Sequence, residues 1–338
     1  MYSEGDLSAA VTAGVLTEES VAAFRAFIAK RRATSAVDEE HFRLLTGFND
    51  IFVSIACALI LWPLGYLGHR LSPVLGSLGV VAASWALAEF FTRNRRMALP
   101  SIILLLTFVT SLYGVAGSLL TSQGDSPAMG QMVLAASAGA AAFGAGLHWW
   151  RFRVPITVAA GTGAAIAVIV AGLSALVPDF FPQWGRPTLL MAGLATFAMA
   201  VRWDSSDRAR VTRRSDVAFW LHLLAAPLIV HPAFWSLGLL GETNPTVLHT
   251  ASAIALYLAL GLVAVLVDRR ALLVSALAYV IYALSHLVSQ NASISEGLAV
   301  TALIVGTALT VLSAFWHNTR MFVLSRLPGN LRRLLPNA

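Results

Sequence analysis

The chain has 338 residues, enough for about two or three soluble domains, but 57% of them are hydrophobic, only 12% are charged, and the mean hydropathy is +0.74. That composition excludes an ordinary soluble fold and describes a polytopic membrane protein. A formal charge of +6 and a pI near 10.1 would suggest nucleic acid in a soluble chain. Here the basic residues are separated by apolar runs and cannot line one groove, so no nucleic-acid partner is expected.

The first 47 residues are polar and lack the short apolar core and small-residue cleavage site of a signal peptide. The first span is therefore expected to stay attached as the targeting signal. Within this segment Thr17 is placed to cap a helix whose first turn carries Glu18 and Glu19 and whose last turn carries Lys30, Arg31 and Arg32. Both ends favour the helix dipole. Val21, Phe24, Phe27 and Ile28 share one face at helical spacing. That face needs a partner: the bundle mouth, the lipid interface with the basic cluster near anionic head groups, or another protein docking on residues 17–33.

From residue 48 onward, apolar runs between polar breaks predict ten spans. They are Phe48 to Tyr66, Pro73 to Phe91, Met97 to Leu120, Met129 to Trp150, Val154 to Val177, Pro187 to Val201, Val217 to Leu240, Leu248 to Val267, Ala271 to Gln290 and Leu298 to Val323. The sixth is short for a core of about 30 Å, and the Pro- and aromatic-rich stretch from Pro178 to Trp184 before it reads as an interfacial turn. The segments of about 10 alternating residues that would mark a β-barrel are not found. The fold class is thus all-α, a transmembrane helical bundle over 48–323 between a cytoplasmic amphipathic segment, 1–47, and a short basic tail, 324–338.

Orientation follows from Lys and Arg, which resist translocation. The N-terminal segment, every second link and the C-terminal end together hold 21 of the 23 basic residues, leaving Arg70 and Arg186 on the other side. Both termini are expected in the cytoplasm, with the chain in the inner (plasma) membrane. Short Arg-bearing turns recur directly before spans, at Arg95-Arg96, Arg151-Phe152-Arg153 and Arg269-Arg270. Helical hairpins are therefore the building block. No match between the two five-span halves, of the kind inverted-repeat transporters show, is evident.

The run from Leu7 to Glu19, with Gly14-Val15-Leu16-Thr17-Glu18-Glu19 at its end, precedes a basic helix and then hydrophobic hairpins with Arg-rich turns. In this it resembles the start of the bacterial DUF2157-type membrane proteins. The specific likeness covers about forty residues, and the rest agrees in general pattern. That family has no assigned biochemical role, so the resemblance implies a helical inner-membrane protein and transfers no functional residue. Twenty-two Arg against the single Lys30 fits a GC-rich bacterial genome, which makes the sequon-like Asn291-Ala292-Ser293 a chance match.

Ionisable residues inside spans are the places to look for function, because each costs a few kcal/mol near a helix centre. Towards the cytoplasmic side lie Asn49 and Asp50, Glu89, and Asp216 with His222, with His148 and His317 at span ends. A proton-coupled carrier would need such a carboxylate and a titratable relay such as His222. Asp50, Glu89 and Asp216 equally sit near helix ends, where interfacial water or Arg satisfies them. Towards the outer side, His231, His249 and His286 fall at similar depth, with Glu242 and Glu296 in adjoining loops. Three imidazoles could hold Zn²⁺ and two could ligate haem, but none are spaced i, i+4, and interfacial hydrogen bonding explains them as well. The reading calls for no metal and no cofactor. His222 and His231, nine residues apart, point to opposite sides of an unbroken helix, and Pro227 between them could kink it.

Glycines of the fourth and fifth spans, Gly139, Gly144, Gly146, Gly161, Gly163 and Gly172, predict close helix approach. Tryptophans near span ends read as interfacial anchors. Cys57 is the only cysteine, so an intramolecular disulfide and a Cys-based metal knuckle are excluded. Phosphate-binding Gly-Lys-Ser/Thr loops, His-Glu-x-x-His, Gly-x-Ser-x-Gly and Cys-x-x-Cys-His are missing from the sequence. Two functional classes survive: a secondary carrier of an ion or small solute, and a non-enzymatic scaffold or sensor. A water-accessible cavity lined by two or more of Asp50, Glu89 and His222 would favour the first, and a solid bundle packed through Ala and Gly the second.

Overall fold

Hydrocarbon cannot hydrogen-bond a backbone, so a chain this apolar satisfies its N–H and C=O groups within helices. The computed structural model describes residues 4–32, 48–121, 126–207, 212–237, 247–289 and 294–328, and among them it is all-helical, without a strand. Two compact units separate, Met1–Arg43 and Leu44–Ala338.

The first unit carries α1, Glu4–Thr12, and α2, Glu18–Arg32. They are joined at Gly14, whose positive φ of 72° suits a residue without a Cβ. Thr17 caps α2 by accepting from the Ser20 backbone N–H at 3.1 Å. Val21 is buried while Phe24 and Phe27 are exposed; the side chain of Ile28 lies outside the described residues.

The second unit is a succession of helical hairpins: α3, Phe48–Leu71; α4, Pro73–Ala88; α5, Ala98–Leu120; α6, Pro127–Phe152; α7, Ile156–Leu176; α8, Phe180–Ser205; α9, Arg213–Ser236; α10, Val247–Val267; α11, Ala271–Ser289; α12, Ile294–Ala314; and α13, Trp316–Ser325. Among the described residues eight helices are long and apolar enough to cross a bilayer, the build of a multi-pass membrane protein. The predicted spans six and nine, α8 and α11, are the two outside that set. In α8 the helix is 26 residues long, yet Arg186, Arg202 and Asp204 confine its apolar part to the middle.

Three local expectations are revised. Helix α8 starts at Phe180, so most of the stretch read as an interfacial turn is helical. The second span, expected to end at Phe91, continues as a π-helical segment, Glu89–Asn94, up to the Arg95-Arg96 turn. The last span breaks at Phe315, and α13 continues as a separate helix packed on α10. Pro227 and Pro232 both lie inside α9, which runs unbroken from Arg213 to Ser236.

Helix α9 is the most deeply buried of these spans, packed against α7, α8 and α11. Buried Gly193, Thr196, Ala200 and Asp204 follow at helical spacing along α8, and Ala200 packs in one cluster with Val217 and Leu221 of α9 and Ala159 of α7. A Cβ on Gly193 would stand 2.9 Å from Leu228 and Ile229, so this approach requires glycine. Of the glycines predicted to join α6 and α7, Gly144 instead admits Leu112 and Phe108 of α5, Gly161 does meet Ala145, and Gly146 and Gly172 face open space.

Candidate functional site

The small-residue seam between α8 and α9 ends in polar groups. Asp204, one residue before the end of α8, faces His222 on α9, and its Oδ2 lies 3.1 Å from His222 Nε2. Arg269, in the α10–α11 turn, closes on the same carboxylate from another side. Its Nη2 donates to Asp204 Oδ1 at 2.6 Å and its Nε to Oδ2 at 3.2 Å. The same Nη2 reaches the Ser215 carbonyl oxygen at 3.3 Å and Ser215 Oγ at 3.4 Å. Asp204 and His222 are each 1% exposed and Arg269 4%. The fork of the guanidinium matches the carboxylate, which is why Arg can serve here and Lys cannot. Phe197, two turns before Asp204 on the same helix, holds the His222 ring edge-on at 5.1 Å.

The turn that supplies Arg269 sends its neighbours elsewhere. Asp268 is left-handed, φ 59°, at the end of α10, and accepts from Trp316 Nε1 of α13 at 2.8 Å, with Arg320 Nε at 3.8 Å. Arg270 lies over the Trp316 ring at 4.9 Å. Three consecutive residues thus tie α10 to α13, join the turn to the α8–α9 seam and stack on Trp316. Asp207 secures the other connection by accepting from the Thr212 N–H at 2.9 Å and Oγ1 at 2.6 Å.

Two further polar groups lie in the helices α3 to α7. Glu89 pairs with Arg151 of α6 at 2.7 Å and with Arg93 at 3.4 Å, both partly exposed. His148 is wholly buried against Trp85, Phe108 and Phe152, with Nδ1 3.4 Å from Thr157 Oγ1.

The predicted cytoplasmic-side set, Asp50, Glu89, Asp216 and His222, is therefore distributed rather than convergent. Asp50 is buried in the first turn of α3, and Ser54 Oγ donates to its carbonyl oxygen at 2.7 Å. Glu89 belongs with Arg151. Asp216 is half-buried in the first turn of α9, where a carboxylate suits the helix dipole. His222 bonds to Asp204, and Asp216 feels the charge of Arg269. In the outer set, His231 is exposed, bonded to Tyr279 Oη at 2.7 Å and edge-on to Trp235. It points away from the buried His222, as the nine-residue spacing requires of a continuous helix. His249 is half-buried at the start of α10, and the side chain of His286 and all of Glu242 lie outside the described residues. Among the described residues no three of His, Cys, Asp and Glu converge to hold a metal ion.

In the sequence, Arg269 counted only as a turn charge, and Asp204 and Asp268 were not singled out at all. A signal existed: Gly193, Thr196, Ala200 and Asp204 form a stripe along α8 that ends in an acid. The third partner, 65 residues from Asp204, had none.

No family model matches this sequence, and neither a curated protein nor a solved structure does. The chemistry must be read from the arrangement alone. A carboxylate shared by an imidazole and a guanidinium, buried and hydrogen-bonded on both oxygens, fastens helices to one another.

Proposed function

We propose that this chain is a ten-span protein of the cytoplasmic membrane, both termini inside, acting as a non-enzymatic scaffold or sensor through its N-terminal amphipathic helix. The N-terminal resemblance to DUF2157-type membrane proteins and the concentration of Arg in alternate links support the membrane and the orientation. The observation that carries the choice against a carrier is the separation of Asp50, Glu89 and His222 into different helix contacts, Glu89 on Arg151 and His222 on Asp204, with close glycine approaches between the helices. On α2, exposed Phe24 and Phe27, followed in sequence by Lys30-Arg31-Arg32, supply the engaging surface.

The test is a photo-crosslinking amino acid at Phe27 of the full-length protein in cells. A specific adduct with a protein or with anionic lipid is expected, lost on Phe24→Ser. An unmodified chain after irradiation would overturn the reading.

A proton-linked carrier is the second reading, favoured by the buried Asp204–His222 pair. In proteoliposomes with an internal pH dye, solute-dependent proton flux abolished by Asp204→Asn would establish it in place of the scaffold.

A further inference from the structure

Helices α8 and α9 pack antiparallel, so the start of α8 lies beside the end of α9, at the far end of the pair from Asp204. Arg186 and Asp204 are 18 residues apart on α8, about 27 Å along a helix. That is close to the roughly 30 Å of hydrocarbon in a bilayer. With Asp204 at one boundary, Arg186 stands in the head-group layer of the other, among lipid phosphates. Exposed Phe181 and Trp184, one turn or so earlier on α8, are of the aromatic kind that settles at this depth.

Four side chains meet at this end. The Arg186 guanidinium lies 4.5 Å over the Trp235 ring. His231, one turn earlier on α9, meets the same ring edge-on at 5.8 Å, so guanidinium and imidazole stand within about 10 Å of each other. His231 Nδ1 is bonded to Tyr279 Oη at 2.7 Å, and Tyr279 is stacked on the fully buried Phe234. Arg186, His231 and Trp235 are all exposed.

Stacking occupies the face of a guanidinium and leaves the N–H donors in its plane free for hydrogen bonds. Among the described residues no carboxylate pairs with Arg186. With the shared proton assigned to the Tyr279 hydroxyl, neutral His231 carries its own on Nε2, a second donor. Contacts running from Phe234 through Tyr279, His231 and Trp235 to Arg186 hold these donors in place before a ligand arrives, which lowers the cost of binding one. A fixed charge beside a neutral donor selects an anion, and a guanidinium grips a phosphate through two parallel hydrogen bonds.

We infer that the Arg186–Trp235–His231 cluster binds the phosphate of an anionic phospholipid, with Arg186 as the bidentate contact and His231 as the second donor. The site does not depend on the scaffold reading.

The full-length protein in vesicles tests this with two photoreactive lipids of matched chains, a phosphatidylglycerol and a phosphate-free galactolipid, each carrying a diazirine on its head group. Adducts mapped by peptide mass spectrometry should form on the peptides holding Arg186 and Trp235 with the phosphatidylglycerol in clear excess. Arg186→Gln should lower that excess about tenfold, the worth of one charge-assisted contact, and His231→Gln about threefold. Arg186→Lys, which keeps the charge and loses the fork, should fall between Arg186→Gln and the parent. Arg70→Gln, which removes the other basic residue assigned to this side, should change nothing. Equal labelling by both lipids, labelling unaltered in Arg186→Gln, or an equal loss in Arg70→Gln would each overturn the inference. So would loss of the adduct in excess inorganic phosphate, which would assign the site to a free anion. Melting temperatures separate lost binding from lost folding, and Arg186→Lys and His231→Gln keep the test decisive if Arg186→Gln does not fold.

Discussion

Arg269 shows how much one side chain decides. It forks onto Asp204, touches Ser215 and lies 6.0 Å from the Phe219 ring, all while 4% exposed. Taking two charges out of water costs several kcal/mol per ion, which their mutual attraction repays only with such geometry. Removing one partner leaves the other charged and dry. Arg269→Met or Asp204→Ala should therefore cost about 3–5 kcal/mol in thermal unfolding of the purified protein. The double variant Asp204→Leu with Arg269→Met should recover most of that loss. Single variants within 1 kcal/mol of the parent would mean that the pair is solvated. Trp316→Phe tests the neighbouring layer: it keeps an aromatic ring and removes one donor to the Asp268 carboxylate, for a loss of about 1 kcal/mol in thermal unfolding.

At the scale of elements, the recurring Arg-bearing turns have a shared backbone device. Arg96, Arg153 and Asp268 are all left-handed, with φ of 54°, 55° and 59°, at the point where one helix stops and the next begins. Glycine is the usual residue there, and a side chain costs roughly 1–2 kcal/mol. In the proposed orientation, Arg96 and Arg153 keep a charge in these turns that holds them on one side of the membrane. Arg153→Gly should accordingly raise stability by about 1 kcal/mol, less the small loss of its contact over Trp149. The same reasoning separates two glycines that look alike in sequence. Gly193→Leu should destabilise by about 1–3 kcal/mol through overpacking against α9, while Gly172→Leu, into open space, should stay within about 0.5 kcal/mol. Equal effects would show that α8 and α9 do not approach as closely as described.

At the scale of the whole molecule, orientation is the property to measure. A C-terminal alkaline phosphatase fusion should be inactive, and one placed after Arg186 active; the reverse pattern would overturn the assignment of ends. Cys57, 1% exposed and the only thiol, should resist maleimide in the folded protein and react after denaturation, which also makes the native chain a clean background for introduced cysteines.

Hydropathy is summed locally, residue by residue, so the helical class and the long apolar helices were legible without coordinates. The interruption at Phe315 and the π-helical turn after Ala88 were not, because each depends on packing between helices that are apolar around most of their circumference and so carry little periodic information. The site divides in the same way. His222 was marked by its chemistry, and the stripe ending in Asp204 was readable once the seam was known. That Arg269 would complete the network, while Asp50 and Glu89 would stand apart from it, was decided only by the rotation and contact of whole helices, which bring together residues 65 positions apart.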